Sequence, residues 1–390
     1  MGRPPERHPF ITFEFETKTL SPHAWIALGE AMSKCQHLAG IPLKPIAAAD
    51  LAAVYLARGV QATTAIEGNT LSEAEVQDIV RKGTADVSES RAYLEREAQN
   101  ILGCIDEIDT ALEQGQRLPI DVDRLLKLNA KILDGIPDKP EVVPGEFRQH
   151  NVSAGSYIAP HWQDVPGLTK RLVEWLDEHR SSVSKKSRRE DRFVCSVLAA
   201  ILAHLYIAWI HPFANGNGRL ARLIEVQILS ESGVVPIVAT NLLSNHYNKT
   251  RNRYYLALDA AQKDVREFIT YALQGLVDEL REQIDAVRQH NLQVMWESYV
   301  FEVFRRQPST AARDRQRDVA LHMDADLRYT PEEITELTTT LAKKYAQSGE
   351  RTPARDMNEL AKLGLVGRVG QRRYRVRRDK IQAFIPPVAE

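Results

Sequence analysis

This sequence of 390 residues is poor in cysteine and has no surplus of either charge. Cys35, Cys104 and Cys195 stand far apart and form no C-x-x-C pair. That excludes a disulfide framework and a cysteine-held zinc cluster, and it suits a reducing cytoplasm. The 51 Lys and Arg are balanced by 52 Asp and Glu, for a net charge of -1. No whole-chain field therefore steers the protein to nucleic acid or to a membrane; any such preference must come from local asymmetry. The charged, proline-rich start MGRPPERHPF has no apolar h-region, so no secretion signal is expected. The uncharged run VCSVLAAILAHLYIAWI, residues 194–210, is just short of the ~18 to 20 residues that a span needs. It contains Ser196 and His204 and runs into His211, so it is expected to be a buried core helix, apolar all round. Long-period repeats and low-complexity tracts are also absent.

What is present reads mostly helical. Hydrophobic content of 43% supplies a core, and the length fits two or three domains. FITFEFET (10–17) alternates like a short strand. SPHAWIALGEAMSKCQ starts a helix from a serine cap, and DLAAVYLARGVQATTAIEG forms another that closes on Gly68. Ser72 with Glu75 makes a capping box for SEAEVQDIVRKG. RAYLEREAQNILGCIDEIDTALEQG and DVDRLLKLNAKILDG are two further amphipathic helices. In the loop-rich stretch that follows, NVSAGSYIA reads as a hairpin around Gly155. A helix is expected from about Arg219 to Ser232, and two more between Ser244 and Gln289. QPSTAARDRQRD then reads as a linker. The rest gives helix, turn, helix and a basic glycine-bearing hairpin, the pattern of a winged helix-turn-helix module.

The densest chemistry lies in HPFANGNGRLAR, residues 211–222. Gly216 and Gly218 permit backbone conformations that turn successive N–H groups into one anion-binding concavity. The spacing of Leu220, Leu223 and Ile224 starts a helix just after, so the concavity sits at a helix N-terminus, where the dipole favours an anion. Arg219 and Arg222 share one face of the first turn. Two cations there oppose the dipole, and a polyphosphate would reconcile them. His211, at the end of the buried helix, can take a proton from a hydroxyl. These parts describe transfer from a nucleotide to a hydroxyl.

The stretch closely resembles the signature of the Fic (filamentation induced by cAMP) family, HPFx(D/E)GNGRxxR. His8-Pro9-Phe10 is a decoy, because no GNGR follows it. The resemblance, over roughly residues 10–290, implies a mainly α Fic-fold helical bundle with a β-hairpin flap, plus the C-terminal winged helix-turn-helix domain. Its implied divisions are an N-terminal helical region with an inhibitory helix (1–90), a catalytic core (91–290) and the winged domain (291–390). It implies an AMP transferase acting on Ser, Thr or Tyr hydroxyls of a target protein, with ATP as co-substrate. His211 is then the general base. Gly216, Asn217 and Gly218 hold the α- and β-phosphates, Arg219 contacts the β-phosphate, and Arg222 reaches the γ-phosphate. Asn252 and Tyr255 would close the adenine pocket. Val152, Gly155 and Tyr157 belong to the flap that docks the target by strand pairing.

One position departs from the pattern. The signature has a carboxylate that holds Mg²⁺ (or Mn²⁺) where this chain has Asn215. Mg²⁺ prefers hard, charged oxygens, so metal affinity should fall. Asn215 as a weak ligand, another donor or transferred group, and a domain that mainly binds nucleotide all stay open.

TTAIEGN, residues 63–69, resembles the family's inhibitory motif (S/T)xxxE(G/N) through Thr63, Glu67 and Gly68. The resemblance implies that Glu67 pairs with Arg222 and keeps it from the γ-phosphate. From 351 to 380, ten Lys and Arg face only Asp356, Glu359 and Asp379. Such a basic hairpin attracts a phosphate backbone, so DNA joins the target protein as a candidate partner. The alternative to a transferase is a nucleotide-sensing DNA-binding regulator. A cytoplasmic location and no membrane contact are expected, and a homodimer is left open.

Overall fold

The structure, a computed structural model, describes residues 8–155, 157–182 and 188–382. The start MGRPPER and part of the charged KKSRRED stretch lie outside the described residues. The chain is mostly helical and divides into two compact units, Met1–Ile284 and Asp285–Glu390. The division expected at residue 90 falls inside the first.

In the first unit, α1 (Pro22–Gly40) starts where the Ser21 hydroxyl accepts the Ala24 N–H. Next come α2 (Pro45–Ile66), α3 (Glu73–Lys82), α4 (Ala92–Glu113) and α5 (Val122–Ile132). The Ser72–Glu75 capping box forms, and Asp121 caps α5 by accepting the Arg124 N–H. A two-stranded antiparallel hairpin follows, β1 (Ser153–Ala154) and β2 (Tyr157–Ile158), in register Ser153↔Ile158 and Ala154↔Tyr157. Then come α6 (Val165–Ser182), α7 (Arg189–Ile210), α8 (Asn217–Glu231), α9 (Leu242–Lys249), α10 (Arg251–Ala260) and α11 (Val265–Arg305), the last running past Ile284 into the second unit. Helices α7 and α8 form the centre. α7 packs on α1, α6 and α8, while α2, α4 and α5 cover α8. α7 is long and apolar enough to cross a membrane, yet 83% of its most apolar window is buried inside the fold. That explains why it has no polar face.

Two sequence expectations need correction here. FITFEFET forms no strand: the segment makes no β-pairing among the described residues, and Thr17–Thr19 is a 3-10 turn. Its alternation records burial alone, because Ile11 and Phe13 face the core between outward Thr12 and Glu14. The rings of Phe10 and Phe13 lie against Trp209 and Tyr206 of α7. The stretch expected to give two helices after Ser244 gives α9, α10 and α11. Thr250 breaks the first, its hydroxyl donating to the His246 carbonyl at 2.8 Å. A threonine hydroxyl competes for backbone groups in this way.

The second unit packs around Trp296, Val300, Met357, Leu360, Val366 and Tyr374. The stretch read as a linker is helical, α12 (Ala311–His322), capped by the Thr310 side chain and buried along Gln316, Val319 and Ala320. TPEEITELTTTLAKKYA is split into a 3-10 turn, Glu333–Glu336, and α13 (Thr339–Ala346), because Thr338 caps the latter. α14 (Thr352–Lys362) leads to an antiparallel hairpin of β3 (Val366–Arg368) and β4 (Tyr374–Val376).

Candidate active site

α7 stops at His211, whose backbone turns left-handed with φ 50° while its N–H still donates to the Ile207 carbonyl at 2.9 Å. A non-glycine residue in that region is strained and must be held. Arg148 holds it. Its guanidinium donates to the carbonyls of His211 (2.7 Å), His150 (2.8 Å) and Pro160 (2.5 Å), and its own N–H donates to Pro212. The His211 ring turns Nδ1 towards the Ala208 carbonyl at 3.4 Å. Protonation at Nδ1 leaves the Nε2 lone pair available as a base. Burial, the largest influence, pulls the His211 pKa below its ordinary value near 6.5, and Arg148 adds to the pull. The ring is therefore neutral at physiological pH.

His211 lines a cavity of about 510 Å³ together with Asn217, Gly218, Arg222, Glu67, Tyr157 and Tyr254. The floor is the N-terminus of α8. Gly216 adopts φ 82°, and a side chain there would press on the Asn129 amide. The Asn217 side-chain amide is engaged with the Phe213 main chain, accepting its N–H and donating to its carbonyl. Gly218 allows the close approach of Glu67, since a side-chain carbon there would collide with Glu67 Oε1. The Glu67 carboxylate thus lies over the helix end that favours an anion.

Arg222 is buried to 1% exposure. Its Nε donates to the Thr63 hydroxyl at 2.6 Å, and its Nη2 donates to the Thr63 carbonyl at 3.0 Å and to Glu67 Oε1 at 2.6 Å. Burial opposes ionisation of Glu67, but Arg222 and then Arg219 overcome it and hold the carboxyl below its ordinary value. The turn that presents Glu67 is fixed by Gly68 at φ 103° and by Asn69, which donates to the Leu94 carbonyl at 2.9 Å and to Glu97 at 2.8 Å. Arg222 Nη1 is buried and has no partner among the described residues, which suits an anionic ligand.

The other expected residues divide. Gly155 and Tyr157 line the cavity, and the Tyr157 hydroxyl donates to the Trp209 carbonyl at 2.6 Å; Val152 stands outside the lining. Tyr255 lines the cavity, whereas Asn252 is exposed and does not. Arg219 does not line it either. Its guanidinium lies behind the α8 end, donating to buried Glu97 and to Asn215 Oδ1.

Sequence reasoning missed Arg148, Glu97 and Tyr254. The Tyr254 hydroxyl and His204 Nε2 are 2.9 Å apart, and Glu225 meets both His204 and the Tyr247 hydroxyl. Tyr247 and Tyr254 lie on separate helices, α9 and α10, so no local spacing marked them.

Asn215 does not fit the role of a metal ligand. Its Oδ1 already accepts the Gly216 N–H at 2.6 Å and the Arg219 Nη2 at 3.1 Å, while its Nδ2 donates to Asp138. Among the described residues no group of three His, Cys, Asp or Glu is placed to hold a metal ion.

The model of the Fic/DOC family matches residues 119–229. The chain is 29% identical over 210 residues to the "Protein adenylyltransferase Fic" of Drosophila yakuba and to that of Drosophila melanogaster. The match covers 53% of this chain but only 37% of theirs, so it spans well under half of those relatives. In fold the chain is similar to a Fic family protein from Desulfovibrio desulfuricans G20, with TM-score 0.55, 20% identity and coverage of 92% of this chain and 97% of that one. It is also similar to Fic-1 from C. elegans, with TM-score 0.54, 21% identity and coverage of 68% and 73%.

Proposed function

We propose that this chain, which carries a Fic/DOC family domain at residues 119–229, is a protein adenylyltransferase restrained by its own Glu67. The observation that carries the reading is a neutral His211 sharing one cavity with Gly218 at the N-terminus of α8 and with Arg222. A target hydroxyl at the β1–β2 hairpin gives its proton to His211 Nε2 as its oxygen bonds to the α-phosphorus of ATP. The bond from that phosphorus to the bridging oxygen breaks, and pyrophosphate leaves. The α8 N–H groups and Arg222 stabilise the charge that develops on the leaving group. His211 then returns its proton to solvent. Glu67 opposes this by occupying both Arg222 and the helix end.

The test is transfer of label from α-labelled ATP by purified Glu67→Gly protein, alone and with its cell lysate, beside a His211→Ala control. His211-dependent labelling of protein supports the reading. ATP binding without any labelling removes it. Transfer from γ-labelled ATP instead would identify a phosphoryl donor.

A second reading attaches to the basic hairpin of the second unit. Arg368 at the end of β3 and Arg372 and Arg373 in the β3–β4 connection are exposed, and Asp356 of the preceding helix is buried against Arg315. This favours a nucleotide-sensing regulator whose winged module binds duplex DNA. Nucleotide-dependent DNA binding with a steep salt dependence, and no transfer, would support it over the first.

A further inference from the structure

We infer that the polyphosphate site takes its nucleotide as the free anion, without a bridging divalent cation, and that Asn215 sets this preference. The inference rests on the nucleotide reading above and concerns only the counter-charge.

The Asn215 amide has one workable orientation. Its oxygen meets two donors, the Gly216 N–H at 2.6 Å and the Arg219 guanidinium at 3.1 Å. Its nitrogen meets an acceptor, the Asp138 carboxylate. Turning the amide over would set NH₂ against two donors and its oxygen against a carboxylate, so all three neighbours fix it. A divalent ion at this position needs a free oxygen lone pair, and both on this oxygen are used. The main-chain carbonyl of Asn215 also accepts a hydrogen bond, from Asn129 Nδ2 at 2.9 Å. The cation nearest the amide oxygen is a guanidinium, held in place by buried Glu97 on its other side. It would repel an ion brought there.

Positive charge for a polyphosphate is nevertheless present. Arg222 keeps a buried, unpartnered Nη1, the α8 N-terminus faces the cavity, and Arg219 lies behind it. An aspartate at 215 would change the balance. It would stand against Asp138, and two facing carboxylates favour a divalent ion between them.

Calorimetric titration of ADP and ATP into Glu67→Gly protein, in EDTA and again in Mg²⁺, tests the inference. Equal or weaker affinity in Mg²⁺ is expected, since the metal sequesters the free nucleotide. In the Glu67→Gly/Asn215→Asp protein, Mg²⁺ should tighten binding about tenfold or more. Tightening by more than about threefold in Glu67→Gly alone overturns the inference and leaves the nucleotide reading intact. Absence of nucleotide binding in every buffer overturns both.

Discussion

Glu67, the C-cap of α2, and Arg222 of α8 are 155 residues apart and meet at 2.6 Å over the Gly218 backbone. One carboxylate thereby blocks two anion-binding features, the guanidinium and the helix end. A nucleotide phosphate seeking either must displace it. Glu67→Gly should therefore raise labelling from ATP about tenfold or more, the worth of one charge-assisted hydrogen bond. Initial labelling rates check this, and a rate no higher than that of the parent protein rejects the brake.

The same pair makes stability depend on acid. The folded Glu67 carboxyl is held below its ordinary value of 4.5. Its contribution is fully present above that value and is lost as pH falls through the lower folded value. Melting temperatures of the parent and of Glu67→Gln should thus converge on acidification below pH 4.5. A gap that stays constant with pH would contradict the pairing.

His211 titrates in the other functional direction. Its pKa lies below 6.5, so the acid limb of the kcat/KM profile should also lie below 6.5. His211→Ala should cost about 10² to 10⁴ in rate. An acid limb above the ordinary histidine value would mean that another group limits the reaction.

Asn69 reaches neither the base nor Arg222, yet it pins the Glu67 turn to Leu94 and Glu97 of α4. Asn69→Ala should loosen the turn and raise labelling several-fold, with no further gain when combined with Glu67→Gly. Additive effects in the double variant would show that Asn69 acts elsewhere.

Arg148 ties three carbonyls from two segments at the His211 bend. Arg148→Met leaves them unpaired at about 1 to 3 kcal/mol for each that stays buried, so the melting temperature should drop by several degrees or more. An unchanged melting temperature would mean that water replaces the guanidinium freely.

The parts of this site that could be read from the sequence are those whose chemistry is contiguous. His211, the glycines and Arg222 fall within twelve residues, and the Thr63–Gly68 turn is equally local. Glu97, Arg148 and Tyr254 were invisible because each acts through a partner far along the chain: Arg219, the His211 carbonyl and His204. Spacing says nothing about such pairs. The fold behaved likewise. Serine caps located helix starts, while FITFEFET misled because alternation reports which side is buried and not whether a neighbouring strand exists.

The stretch 119–229 that carries the family likeness holds His211 and Arg222, but not Glu67, Glu97 or Tyr254. Cut at those bounds, a fragment would keep both arginines and lose the carboxylates that neutralise them. It would also expose the faces of α8 that α2 and α4 now cover. The recognisable segment and the self-sufficient piece of matter therefore differ in size. A portion that keeps Arg219 and Arg222 matched must reach back at least to Glu67, and deletions between there and α8 should be felt at the base itself.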